Sequence, residues 1–256
     1  MVSDLNELLQ RFRRKDRQAL SRLLTLASRR EQAQSLRDEV HSASARGRVV
    51  AFTGSGGVGK SSLLGGLIEL LRSRDRSVAV LACDPESPLT GGALLGDRIR
   101  MCRPAEDAGL FIRSLATPGG QQAIAHNLDL MTEILFAYGF EIVLLETVGA
   151  GQGETAVRSL ADVLVVLLQP QSGDELQWEK AGLLEVADVV VINKSDLSGA
   201  DQMEAQVRNL LNLPGCRAVP VLKTSAARRE GLKELWDVIE SLPSKCRSEQ
   251  SHDRAN

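Results

Sequence analysis

The chain has 256 residues, with 31 Lys and Arg against 33 Asp and Glu, and 43% of its residues are hydrophobic. That is the make-up of an ordinary soluble globular protein with one sizeable core. The near-neutral balance gives no sign of a nucleic-acid partner. No stretch approaches the ~18 consecutive apolar residues of a membrane span, and the start lacks a signal-peptide core. A cytoplasmic location with no membrane partner is therefore expected. The four cysteines, at 83, 102, 216 and 246, form no C-x-x-C pair, and the three histidines are scattered. This pattern suits reduced thiols and offers no metal-ligand cluster.

Residues 3 to 29 read as helical, because Leu5, Leu8, Leu9 and Phe12, then Leu20, Leu23, Leu24 and Leu26, recur at helical spacing. The first 48 residues hold eleven Lys or Arg against six Asp or Glu, concentrated in "RFRRKDR". Such a run could touch RNA or an anionic surface, but it reads first as the wet side of a helix. From there the chain alternates strand and helix, with strands near 49–53, 78–82, 110–114, 141–146, 162–168, 188–192 and 218–222. "DVLVVLL" and "ADVVVI" are continuous apolar runs, as expected of strands covered on both faces. The expected fold is α/β, a mainly parallel sheet wrapped by helices. The expected divisions are an N-terminal helical extension over 1–46, one domain over 47–243 and a polar tail over 244–256. Trp178 and Trp236 read as packing or interface residues.

Between the first strand and the next helix runs Gly54-Ser55-Gly56-Gly57-Val58-Gly59-Lys60-Ser61, followed by Ser62. A glycine-rich stretch also marks ordinary turns, but this one satisfies G-x-x-x-x-G-K-[ST] in the strand-to-helix context that motif requires. Without Cβ atoms the backbone amides converge on phosphate oxygens at the positive end of the helix. Lys60 then neutralises the β and γ phosphates, and Ser61 holds Mg²⁺.

The choice of base falls to Asn193-Lys194-Ser195-Asp196, which follows a buried strand. The Asp196 carboxylate accepts two parallel hydrogen bonds from guanine N1–H and its exocyclic amine, a pair adenine does not offer. A carboxylate left unpaired is costly, so discrimination is strong. The Lys194 stem covers the base, and Asn193 ties its loop to the phosphate loop. Thr224, Ser225 and Ala226 follow the next strand and bring a backbone N–H to guanine O6. Standing alone, N-K-x-D is equally a turn and helix cap.

Glu146 ends a strand at the edge where open parallel sheets bind ligands, which suits it to Mg²⁺ through water. Gly149 would bring an amide to the γ-phosphate. The plainer reading is a buried strand end followed by a glycine turn. Asp84, ahead of a proline, and Asp97 read from the bare sequence as cap or turn residues.

Taken together, "DPESPLTGGALLGDRIRM", "FIRSLAT", "ETVGAGQGE", "GDELQ" and "NKSD" resemble the ArgK/MeaB-type GTPases. These are SIMIBI-class P-loop proteins associated with methylmalonyl-CoA mutase. "KDRQALSRLLTLASRR" is similar to their helical lead-in, and the likeness runs from about residue 15 to about residue 240. The resemblance implies a GTPase chaperone that gates adenosylcobalamin loading into a cobalamin-dependent acyl-CoA mutase and protects or reactivates it. It also implies slow hydrolysis without the partner, Mg²⁺ with bound GTP or GDP, and catalytic or metal roles for Asp84, Asp97 and Glu146 beside Lys60 and Ser61. Gly173 to Gln177 would belong to a partner-reading switch. The sequence departs from the family in having Gly56 in place of a usual proline and Gly153 in place of a serine. The C-terminal arm by which relatives form homodimers is expected to be short or absent, which leaves a homodimer as an open expectation. Other functions open to such a chain are a metallochaperone GTPase, a kinase, or a nucleotide-dependent binding module with little hydrolysis.

Overall fold

The structure is a computed structural model that describes residues 2–28, 36–37, 47–85, 107–117, 122–147, 153–170, 179–214 and 217–244. Its strands are β1 (Arg48–Gly54), β2 (Val78–Pro85), β3 (Leu110–Thr117), β4 (Ile142–Glu146), β5 (Val163–Leu168), β6 (Val189–Ile192) and β7 (Val221–Lys223). Its helices are α1 (Val2–Arg13), α2 (Arg17–Ala27), α3 (Lys60–Ser73), α4 (Gln122–Tyr138), α5 (Gly153–Leu160), α6 (Glu179–Val186), α7 (Ala200–Leu211) and α8 (Leu232–Ser241). The strands form one seven-stranded sheet in the order β3-β2-β4-β1-β5-β6-β7, with every pairing parallel. None of the helices among the described residues is long and apolar enough to cross a membrane.

The continuous apolar strands are explained by burial on both faces. Successive strand residues point to opposite sides, so Val50, Phe52, Val163, Val165, Val189 and Val191 pack with α3 and α8 around the buried Trp236. Val49, Ala51, Val143, Leu145 and Leu164 face the other way, onto α1, α2, α4 and α5. On that same side Val166, Leu168, Val190 and Ile192 pack with α6 and α7.

Three acidic residues placed just before or between strands close the lower edge of the sheet. Asp162 accepts the Val49 amide at 2.7 Å, Asp188 the Leu164 amide at 2.9 Å, and Glu141 the Ser77 amide at 2.9 Å. Each satisfies a strand-start amide that the parallel ladder leaves over.

The structure departs from the expected elements in two places. The helix expected over 3–29 is broken at residues 14–16, where Lys15 takes a left-handed φ of 64°. Asp16 caps α2 by accepting from the Gln18 and Ala19 amides, and Arg11 Nε donates to it at 2.8 Å. The basic run is not only a solvated face, since Lys15 donates to the Tyr138 carbonyl and Arg17 to those of Asp107 and Leu110. These bonds fasten the corner between α1 and α2 to the sheet. The last strand starts at Val221 and not at 218, because Pro220 has no amide to give to a ladder; its carbonyl accepts from Val190.

Candidate functional site

Every described residue of the expected site sits at the C-terminal edge of the sheet, around the ends of β1, β4, β6 and β7. β1 runs into the phosphate loop at Gly54, where φ is 149° and a Cβ would lie 2.5 Å from the Leu167 carbonyl oxygen of β5. Gly59 starts α3 with φ 93°, and a Cβ there would lie 2.5 Å from Asn193 Nδ2. Only glycine meets both conditions. No side chain caps the N-terminus of α3, so its first amides and its positive dipole end are turned to the loop Ser55, Gly56, Gly57 and Val58. Lys60 curls over this loop, donating to the Gly54 carbonyl at 2.8 Å and the Ser55 carbonyl at 3.1 Å.

Ser61, in the first turn of α3, donates its hydroxyl to Glu146 Oε1 at 2.7 Å, and both residues are buried. Sheet register explains the meeting: Glu146 lies opposite Phe52 of β1 on one side and Ala82 of β2 on the other. Thr147, the next residue, fixes this strand end by donating its amide to the Phe52 carbonyl at 3.0 Å. Asp84 stands two residues beyond Ala82 on β2, with its backbone paired to Ala116. Its side chain lies outside the described residues, as do Asp97, Gly149 and Gly173 to Gln177.

The residues expected to read the base form the adjoining half. Asn193 is buried and bridges three elements: Nδ2 donates to the Val58 carbonyl at 2.9 Å, Oδ1 accepts from Thr224 Oγ1 at 3.1 Å, and its amide donates to Leu168 of β5 at 2.8 Å. Lys194 has a left-handed φ of 57°, and its Nζ lies 2.7 Å from the Gly57 carbonyl and 2.7 Å from Gln169 Oε1. Asp196 Oδ1 accepts from the Ser225 hydroxyl at 2.6 Å. That bond, aided by a backbone amide and by nearby Arg228 and Lys194, holds its carboxyl below the usual carboxylate range. Ser62, Asn193, Lys194, Asp196 and Ala226 then line a cleft of about 220 Å³ that opens beside Gly59. A second cleft, of about 290 Å³ between Arg17, Ser77 and Tyr138, lies at the opposite edge of the sheet and takes in none of these residues.

Sequence reasoning missed Gln169. It follows a continuous strand with no motif around it, and its only local signal is its position at the C-terminal end of β5.

The family described as methylmalonyl-CoA mutase-associated GTPase MeaB matches residues 20–255. A protein of Pyrococcus abyssi named as a GTPase is 41% identical over 242 residues, covering 92% of this chain and 75% of that protein. The fused isobutyryl-CoA mutase of Nocardia farcinica is 41% identical over 224 residues, which is 83% of this chain and 21% of that one. The crystal structure of LAO/AO transport system kinase shares the fold with a TM-score of 0.73 at 26% identity, covering 94% of this chain and 75% of that chain. Sequence, sheet order and the arrangement at its upper edge agree, and the chain belongs to the MeaB family of methylmalonyl-CoA mutase-associated GTPases.

Proposed function

We propose that this GTPase binds Mg²⁺ and GTP across the upper edge of the sheet, hydrolyses GTP slowly when alone, and uses the cycle to serve an adenosylcobalamin-dependent acyl-CoA mutase. Its service is to gate loading of the cofactor into the mutase and to protect or reactivate it. The observation that carries the nucleotide half is the bond from Asn193 to the Val58 carbonyl, which ties the phosphate loop to the base cleft. On this reading Lys60 leaves the loop carbonyls for the β and γ phosphate oxygens, while the loop amides spread the remaining charge. Asp196 reads the guanine edge, the Lys194 stem covers its face, and Ala226 lies where an amide meets O6.

Ser61 and Glu146 fit the metal, since a hydroxyl and a carboxylate are the hard oxygen donors Mg²⁺ takes. When bound, the ion offsets negative charge on the phosphates. Asp84, at the end of the neighbouring strand, and Asp97 are assigned to the same network by their place in the family pattern, as Gly149 is to the γ-phosphate.

The mutase half is supported by the family and by kinship with one part of a protein named a fused isobutyryl-CoA mutase. It is tested by passing candidate cobalamin mutases over the immobilised chain with GDP or a non-hydrolysable GTP analogue. One mutase is expected to be retained in a nucleotide-dependent way and to raise phosphate release severalfold. Equal, nucleotide-blind passage of all of them, with phosphate release unchanged, would overturn this half while leaving the GTPase intact.

A further inference from the structure

We infer that Gln169 is a positioning residue for the nucleotide site: its side-chain carbonyl holds the Lys194 ammonium so that the lysine stem stays in place as a wall of the base cleft. The inference rests on the guanine-site reading above. Lys194 is attached to a backbone in the left-handed region, which is uncommon for a residue with a Cβ. Four rotatable bonds separate that backbone from Nζ, so the stem has a fixed course only if its far end is held. One acceptor, the Gly57 carbonyl at 2.7 Å, belongs to the glycine-rich loop. The other, Gln169 Oε1 at 2.7 Å, comes from the residue that directly follows β5.

The second anchor stands at the end of a well-held strand. β5 is buried along its whole length and pairs with β1 on one side and β6 on the other. Its last residue, Leu168, already receives the Asn193 amide at 2.8 Å. The end of β5 therefore grips the base-reading loop twice, once through backbone at Asn193 and once through side chain at Lys194. The chemistry of the second grip suits its place. An amide oxygen accepts from an ammonium group without adding negative charge, whereas a carboxylate here would stand beside the loop that is to receive phosphates.

The test is a double-mutant cycle on GDP affinity, measured by titration calorimetry on the full chain, with GDP raised to the millimolar range for the Lys194 variants. Gln169→Met keeps the bulk and removes the acceptor, and is expected to weaken GDP binding about fivefold, the worth of one ordinary hydrogen bond. Its thermal midpoint should stay at the wild-type value. In a Lys194→Met background the same change should cost less than about twofold, because the group it acts through has gone. Wild-type affinity in Gln169→Met, or a loss of more than about twofold in the Lys194→Met background, would overturn the inference. Failure of the guanine-site reading shows earlier and separately, as equal affinity of the wild-type chain for GDP and ADP, and would take this inference with it.

Discussion

At the scale of single residues, the proposed choice of base rests on Asp196 and on the Ser225 hydroxyl that holds it. Asp196→Asn replaces one acceptor oxygen with a donor amide, so GTP affinity should fall by at least about tenfold while xanthosine triphosphate, which has a carbonyl where guanine has its exocyclic amine, binds better. Unchanged GTP affinity in that variant would contradict the assignment. The Ser225 hydroxyl is the largest cause of the lowered Asp196 pKa. Because the folded-state value is depressed, the carboxylate keeps its charge as pH falls through the ordinary carboxylate range near 4, and loses it only below. Ser225→Ala should therefore move the acid-side loss of GDP affinity to higher pH than in wild type, and superimposable pH profiles for the two would refute this. Lys60→Ala and Ser61→Ala should each reduce phosphate release by orders of magnitude; near-normal turnover in either would remove the phosphate-loop reading. The residues in these variants were legible in the sequence because strand-to-helix geometry fixes the spacing of the phosphate loop, and a strand end fixes that of Asn193 to Asp196. Gln169 was not legible, since its contact depends on how β5 and β6 lie in register, which no local spacing records.

At the scale of elements, the sequence shows strands through their continuous apolar runs but not what closes their lower ends. Asp162, Asp188 and Glu141 do that by accepting amides at or just before the starts of neighbouring strands, and Asp188 is itself held by Arg158 and Arg217 at 2.9 Å each. These bonds span 113, 24 and 64 residues of sequence, so a window-by-window reading has no access to them. The break between α1 and α2 was hidden for the same reason: the leucine spacing runs through it, while the turn is stabilised by Asp16 and by Lys15 reaching Tyr138 from far along the chain. Asp162 is buried and caps the strand that leads into the phosphate loop. Asp162→Ala leaves the Val49 amide without that acceptor and should cost about 1–3 kcal/mol of stability. Asp162→Asn retains a carbonyl oxygen and should recover a large part of it. Chemical denaturation of the two variants checks the ordering, and equal losses would show that the amide cap is not what the residue contributes.

At the scale of the whole molecule, the two sides of the sheet are filled from different parts of the chain. α3 and α8 cover one side, whereas the first helices of the chain reach across to cover part of the other. Leu20, Leu23, Leu24 and Ala27 of α2 are fully buried in one cluster with Val49 and Ala51 of β1 and with Leu130, Ile134 and Leu135 of α4. Arg113 of β3 adds bonds to the Ser21 carbonyl at 2.8 Å and to Thr25 Oγ1 at 2.9 Å. A separable extension would share little apolar surface with the sheet, so this packing predicts that α1 and α2 unfold together with it. Leu24→Ala removes methyl groups from a site with no exposure and should cost about 2–5 kcal/mol. In a chain of this size that loss lowers the single thermal midpoint by roughly 5 °C or more. GDP affinity at low temperature should be kept, since the substitution lies among residues that do not line the base cleft. Calorimetry and far-ultraviolet circular dichroism on wild type and variant make the comparison. A new low-temperature step carrying only helical signal, with the main midpoint unmoved, would show instead that the helices come away first and that the sheet holds its nucleotide edge without them.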